Sequence, residues 1–143
     1  MGYRSLVAYT IRFVGNDDKL SEQSFNTFLC EAKSKIPALW AGEKDSINEW
    51  LEIDVSKWQF NFHTPYDIKW YPDSADVKAH MALWELAREF HEDNETIVGQ
   101  YIEIGENDDD ITKKEFGYLE DDYISLRREI TCDWFDKKPE QTA

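Results

Sequence analysis

A chain of 143 residues is the size of one domain, able to bury about 70% of the surface its unfolded form exposes, and its apolar content of 41% supplies one core. Thirty Asp and Glu against 16 Lys and Arg set a formal charge of −14, which repels polyanions and disfavours direct nucleic-acid binding, because that binding needs cations to neutralise phosphates. The same charge attracts basic surfaces, and its plain alternative is solubility.

Residues 1–135 are expected to form a single domain, with a polar tail over 136–143. The opening Met1-Gly2-Tyr3-Arg4-Ser5 lacks the apolar run of a signal peptide, and no stretch approaches the roughly 18 apolar residues of a membrane span. Leu6 stands where the myristoylation pattern needs Ser or Thr. A cytoplasmic location with no membrane partner is the expectation. Cys30 and Cys132 lack CxxC spacing and sit in apolar-patterned segments, so both are expected as reduced core thiols.

Alternation over residues 3–14 predicts a strand with Tyr3, Val7, Tyr9, Ile11 and Phe13 on one face, and Leu6 and Val14 on the other suggest partial burial on both sides, as in a central strand. Phe25, Phe28, Leu29, Ala32 and Ile36 repeat at helical spacing, with Ser21 the candidate N-cap and Pro37 the stop. Residues 38–48 show neither period and are expected as a loop. Period two returns at Leu51, Ile53 and Val55, then at Trp58, Phe60 and Phe62, which predicts an antiparallel hairpin. A short extended piece at residues 68–72 leads to a second helix, from Asp73 or Ser74 to about Glu92, with Val77, Met81, Leu83, Trp84, Ala87 and Phe90 inward. Strands follow over 96–104 and 123–134.

This order predicts an α+β fold: an antiparallel sheet of about five strands with two helices on one face, in a ferredoxin-like split β-α-β order with one added strand.

Three segments resemble small acidic proteins of tailed bacteriophages that begin MGYRS: that opening, Asp67-Ile68-Lys69-Trp70-Tyr71, and Tyr101-Ile102-Glu103-Ile104-Gly105-Glu106 before Asp108-Asp109-Asp110. Members of that group mostly carry no assigned activity. The resemblance implies a phage or prophage origin, hence a bacterial host cytosol, and carries over no catalytic residue.

The densest charge lies in residues 103–122, where nine acids, among them Glu106, Asp108, Asp109 and Asp110, face Lys113 and Lys114. Held on a hairpin, such carboxylates imitate phosphate spacing and suit a basic groove; the bland alternative is a solvated loop that blunts a strand edge. Asp108, Asp110 and Thr112 mimic the start of a calcium loop, yet Lys113 replaces its glycine and Leu119 its closing glutamate. Glu85, Glu89, Glu92 and Asp93 give the second helix an acidic outer face. Trp58, Trp84 and Trp134 lie on apolar faces and are expected in the core, whereas Trp40 and Trp50 are candidate exposed anchors, with loop packing as the alternative.

His63, His80 and His91 lack the i, i+4 spacing of helical zinc sites and are expected as satisfied or exposed polar groups. GxxxxGK[ST], GxGxxG and GxSxG are absent from the sequence, so no enzyme activity, cofactor or metal is expected.

The reading that follows is an acidic inhibitor or adaptor that docks on a basic surface of a host nucleic-acid-processing or defence protein, by nucleic-acid mimicry. Its rivals are a small-ligand sequestering module with an aromatic cleft, a carboxylate-metal enzyme, and a self-assembling accessory protein that forms a homodimer through a sheet edge or apolar patch.

Overall fold

In this computed structural model, residues 4–15, 17–40, 46–93, 96–105, 111–117, 124–126, 130–132 and 134 are described. The first strand, β1 (Arg4–Phe13), sets the architecture because both its faces are buried. Val7, Tyr9, Ile11 and Phe13 enter the main core, while Ala8 enters a second, smaller core on the opposite face. The two edges of β1 are paired as well. β1 pairs antiparallel with β3 (Gln59–His63) and with β5 (Ile97–Ile104), and at its start with β4 (Ile68–Lys69).

Outside β3 lies β2 (Leu51–Asp54), and outside β5 lies β6 (Ile111–Phe116), giving the order β2-β3-β1-β5-β6 in a six-stranded sheet. The α+β class, the antiparallel sheet and the two helices are as the patterning predicts. The strand added to the sheet is β6, however, and not residues 123–134. Five of the six β6 residues are exposed and Phe116 alone is buried, so an edge strand of this kind carries no hydrophobic alternation to read. Two short strands, β7 (Ile124–Leu126) and β8 (Ile130–Cys132), instead pair with each other in a separate two-stranded sheet.

The first helix, α1 (Asp18–Lys35), is capped by Asp17, whose carboxylate accepts the backbone N–H of Lys19 at 2.9 Å and of Leu20 at 3.4 Å. Ser21 is therefore not the cap. It lies one turn inside, fully buried, and begins the stripe Ser21, Phe25, Phe28, Ala32. Replacing Asp17 by Ala leaves those N–H groups without a side-chain acceptor and is expected to cost about 1 kcal/mol, read as a lower urea midpoint at unchanged slope. Cys30, two residues beyond Phe28, points about 200° away from that stripe and is exposed, whereas Cys132 is buried.

The expected loop after α1 holds two short 3-10 turns, Pro37–Trp40 and Ile47–Trp50, which turn Leu39 fully and Trp40, Ile47 and Trp50 partly against the main core. The second helix, α2 (Ala75–Asp93), buries Val77, Leu83, Trp84 and Ala87 on the same core as α1, so both helices share one sheet face. Across the sheet, Ile102, Ile124 and Cys132 close the second core, with Leu6, Ile104 and Trp134 packed on it.

β7 is clamped to the sheet by one side chain. The Gln100 amide accepts the Ile124 N–H at 3.1 Å and donates to the Ile124 carbonyl at 3.4 Å, completing both backbone groups as a neighbouring strand would.

Candidate functional site

The predicted site residues fall in three places. Glu106, Asp108, Asp109 and Asp110 lie outside the described residues, as does Leu119, where the calcium-like loop would close, while Thr112 and Lys113 lie in β6. Glu85, Glu89 and Glu92 line the outer side of α2, which Asp93 closes. Arg88 stands among them, its Nε 2.8 Å from Glu85 Oε1 and its Nη1 3.7 Å from Glu92 Oε2. The Glu85 hydrogen bond and charge raise the Arg88 pKa further above its ordinary value. One cation thus offsets part of this face, leaving Glu89 exposed with the two partnered carboxylates beside it.

Trp40 and Trp50 are half-buried and both pack on the main core. Trp50 also meets the Tyr66 ring edge-on, with centroids 5.6 Å apart. It lines a cavity of about 420 Å³ together with Glu49, Leu51, Glu52, His63, Pro65 and Trp134. Folding assembles this cleft from three distant stretches of chain. The turn before β2 supplies Glu49 and Trp50, the end of β3 supplies His63, and Trp134 arrives from beyond β8. Glu49 and Glu52 are exposed, so their charges face water at its rim.

Polar groups continue along the same sheet face. Arg12 Nε donates to Thr10 Oγ1 at 3.0 Å, the Thr10 hydroxyl donates to Asn61 Oδ1 at 2.6 Å, and Asn61 Nδ2 donates to Gln59 Oε1 at 3.2 Å. The Arg12 guanidinium lies 5.6 Å from the centre of the Trp134 ring. Thr10, Asn61 and Arg12 are all buried, so their mutual bonds offset the desolvation of groups that water would otherwise solvate.

A third polar arrangement escaped the sequence reading. Tyr9, His80 and Asn48 form a hydrogen-bonded chain, with Tyr9 Oη 2.6 Å from His80 Nδ1 and His80 Nε2 2.7 Å from Asn48 Oδ1. The Asn48 amide nitrogen is occupied in donating to the Ala38 carbonyl at 3.0 Å. Asn48 Oδ1 must therefore accept, Nε2 carries the proton, and the Tyr9 hydroxyl donates to Nδ1. Burial lowers the His80 pKa to about 3, so the ring is neutral, and burial raises that of Tyr9 well above its ordinary value. The Tyr9 and His80 side chains are fully buried, and the chain ties the 46–50 turn to α2 and β1. Its signal in the sequence was a lone histidine on the apolar face of a helix.

Tyr101 makes a similar internal bond, its hydroxyl donating to Glu103 Oε1 at 2.8 Å, with the Lys114 ammonium 5.2 Å from its ring centre. Among the described residues, no group of three or more His, Cys, Asp or Glu side chains converges to hold a metal ion, and no helix is long and apolar enough to cross a membrane. No protein-family model, no curated protein and no solved structure matches the chain.

Proposed function

We propose that this protein is an acidic binding module, an inhibitor or adaptor that docks on a basic surface of a host nucleic-acid-processing or defence protein. The observation that carries this reading is where the charge sits. Among the described residues the buried polar and charged groups are Ser5, Thr10, Arg12, Ser21, Asn61, Thr64, His80 and Gln100, with no Asp or Glu in the set. Every described carboxylate thus contributes to the outer surface, while Arg12 withdraws one positive charge from it.

A field of that sign speeds encounter with a cationic partner and suppresses encounter with polyanions, and half-buried aromatics such as Trp50 add short-range contact that slows release. Glu85, Glu89 and Glu92 supply one acidic face and the rim of the Trp50 cleft another.

The test is affinity capture from host lysate at low and high salt, repeated with Glu85, Glu89 and Glu92 each reversed to Lys. Retained partner is expected to fall steeply with salt, and to fall about tenfold for the triple reversal, since each reversed charge near an opposite one removes attraction and adds repulsion of a few tenths to 1 kcal/mol. Retention unchanged by salt and by reversal of these residues would sink the electrostatic reading.

A further inference from the structure

We infer that the cleft between Trp50 and Trp134 is a receptor for one arginine side chain projecting from the surface of a partner protein. The inference rests on the docking reading above and names the contact that would give it specificity.

The cavity, at about 420 Å³, has room for one such side chain and lies in the range of sites that hold small groups. Its walls are the indoles of Trp50 and Trp134, the His63 imidazole and the Pro65 ring, and its charged members are Glu49 and Glu52. Indole faces attract cations through their quadrupole, and carboxylates attract them through charge, so both parts of the lining select the same sign. An anionic ligand would meet two carboxylates with no described cation in the lining, and a purely apolar one would leave their charge unused.

Between the two common cations, the lining favours guanidinium over ammonium. A guanidinium stacks flat on an indole while its N–H groups, which lie in its own plane, remain free to meet carboxylates at the edge. The protein already makes such a pairing internally, with the Arg12 guanidinium 5.6 Å from the Trp134 ring centre. Arg12 also sets a requirement. Its positive charge next to the cleft opposes a second cation, so Glu49 and Glu52 are needed to reverse the local sign, and the site is predicted to depend on both.

The experiment is a titration of the isotope-labelled protein with the peptide acetyl-Gly-Arg-Gly-amide, following the indole N–H resonances by NMR. The Trp50 and Trp134 signals are expected to shift saturably, and the signals of Trp84 and Trp70, which are buried, to stay in place. The matching citrulline peptide, equal in shape but uncharged, is expected to produce no saturable shift. Glu52→Gln, an exposed change that leaves the fold intact, is expected to weaken the arginine peptide about threefold, and Trp50→Ala about tenfold, as exposed ion pairs and cation–π contacts allow.

Equal responses to arginine and citrulline peptides, or indole signals of Trp50 and Trp134 that do not move, would overturn the assignment. A stronger response to free arginine than to the peptide would overturn the protein source of the ligand. The two readings fail separately: salt-sensitive capture with silent indoles removes the arginine receptor and leaves docking through another face, while moving indoles with salt-insensitive capture does the reverse.

Discussion

Acidification is expected to destabilise this protein through His80 alone by on the order of 3 kcal/mol between roughly pH 7 and pH 4. The imidazole pKa falls from an ordinary 6.5 to about 3 in the fold, and the cause is burial. The groups packed around it are Tyr9, Phe62 and Trp70 rings and the Asn48 amide, none of which bears a charge able to hold an imidazolium. Between those two pKa values the unfolded chain binds a proton that the folded chain refuses. Stability from this group is thus fully present above pH 6.5 and is lost as pH falls toward 3.

A second term runs the other way over part of that range, because protonating carboxylates relieves the self-repulsion of a chain at −14. The raw pH curve mixes the two. Urea unfolding of the wild type and of His80→Gln, at matched pH values, separates them: the variant starts less stable near neutrality and its acid limb is shallower by close to one proton. Parallel acid limbs would mean that His80 keeps its ordinary pKa and that the Tyr9–His80–Asn48 chain is not closed as described.

How far these features were readable from the sequence depended on whether a residue repeats with its element. β1 and α2 announced themselves because Val7, Tyr9 and Ile11, and Val77, Trp84 and Ala87, recur at the period of their own structures. β6 did not, since Ile-Thr-Lys-Lys-Glu-Phe buries only its last side chain. Ser21 was misread as a cap because hydroxyls favour that place, when its spacing of four from Phe25 put it on the buried stripe. The acidic face of α2 was legible residue by residue, whereas Arg88 within it matters only through the i−3 and i+4 partners that the helix provides.

The cleft was the hardest to foresee. Trp50 stands out in the sequence because it falls opposite Leu51 and Ile53, with Glu49 and Glu52 beside it in the chain, but His63 joins the cleft only through the β2–β3 register and Trp134 only from beyond β8. A cavity whose lining spans more than 80 residues of sequence leaves no periodic trace.

Among the tryptophans, the substitution Trp84→Ala is expected to be the most damaging, at about 3 to 5 kcal/mol, a large share of the 5 to 15 kcal/mol that holds a typical domain together. Trp84 is 2% exposed, and its ring packs 5.0 Å from Phe116, 5.7 Å from Tyr101 and 6.4 Å from Tyr9, centroid to centroid. Beneath it lies Gly99, where an added Cβ would come within 2.4 Å of the Phe116 ring and 3.0 Å of Trp84. The bare backbone of Gly99 thus makes the notch in which Phe116 lies, and Trp84 closes that notch from α2.

Phe116 is in turn the one buried residue of β6, so the edge strand is anchored to the helix layer through Trp84. Removing the indole opens a void against three rings and frees that anchor together. The variant is expected to lose the stated stability by urea unfolding and, at low urea, to exchange the β6 amides faster than those of β1. Trp40→Ala and Trp50→Ala, at half-buried positions, are expected to cost only about 1 to 2 kcal/mol and to leave β6 exchange unchanged. Equal losses at all three tryptophans would show that the stack around Trp84 does not organise the edge of the sheet.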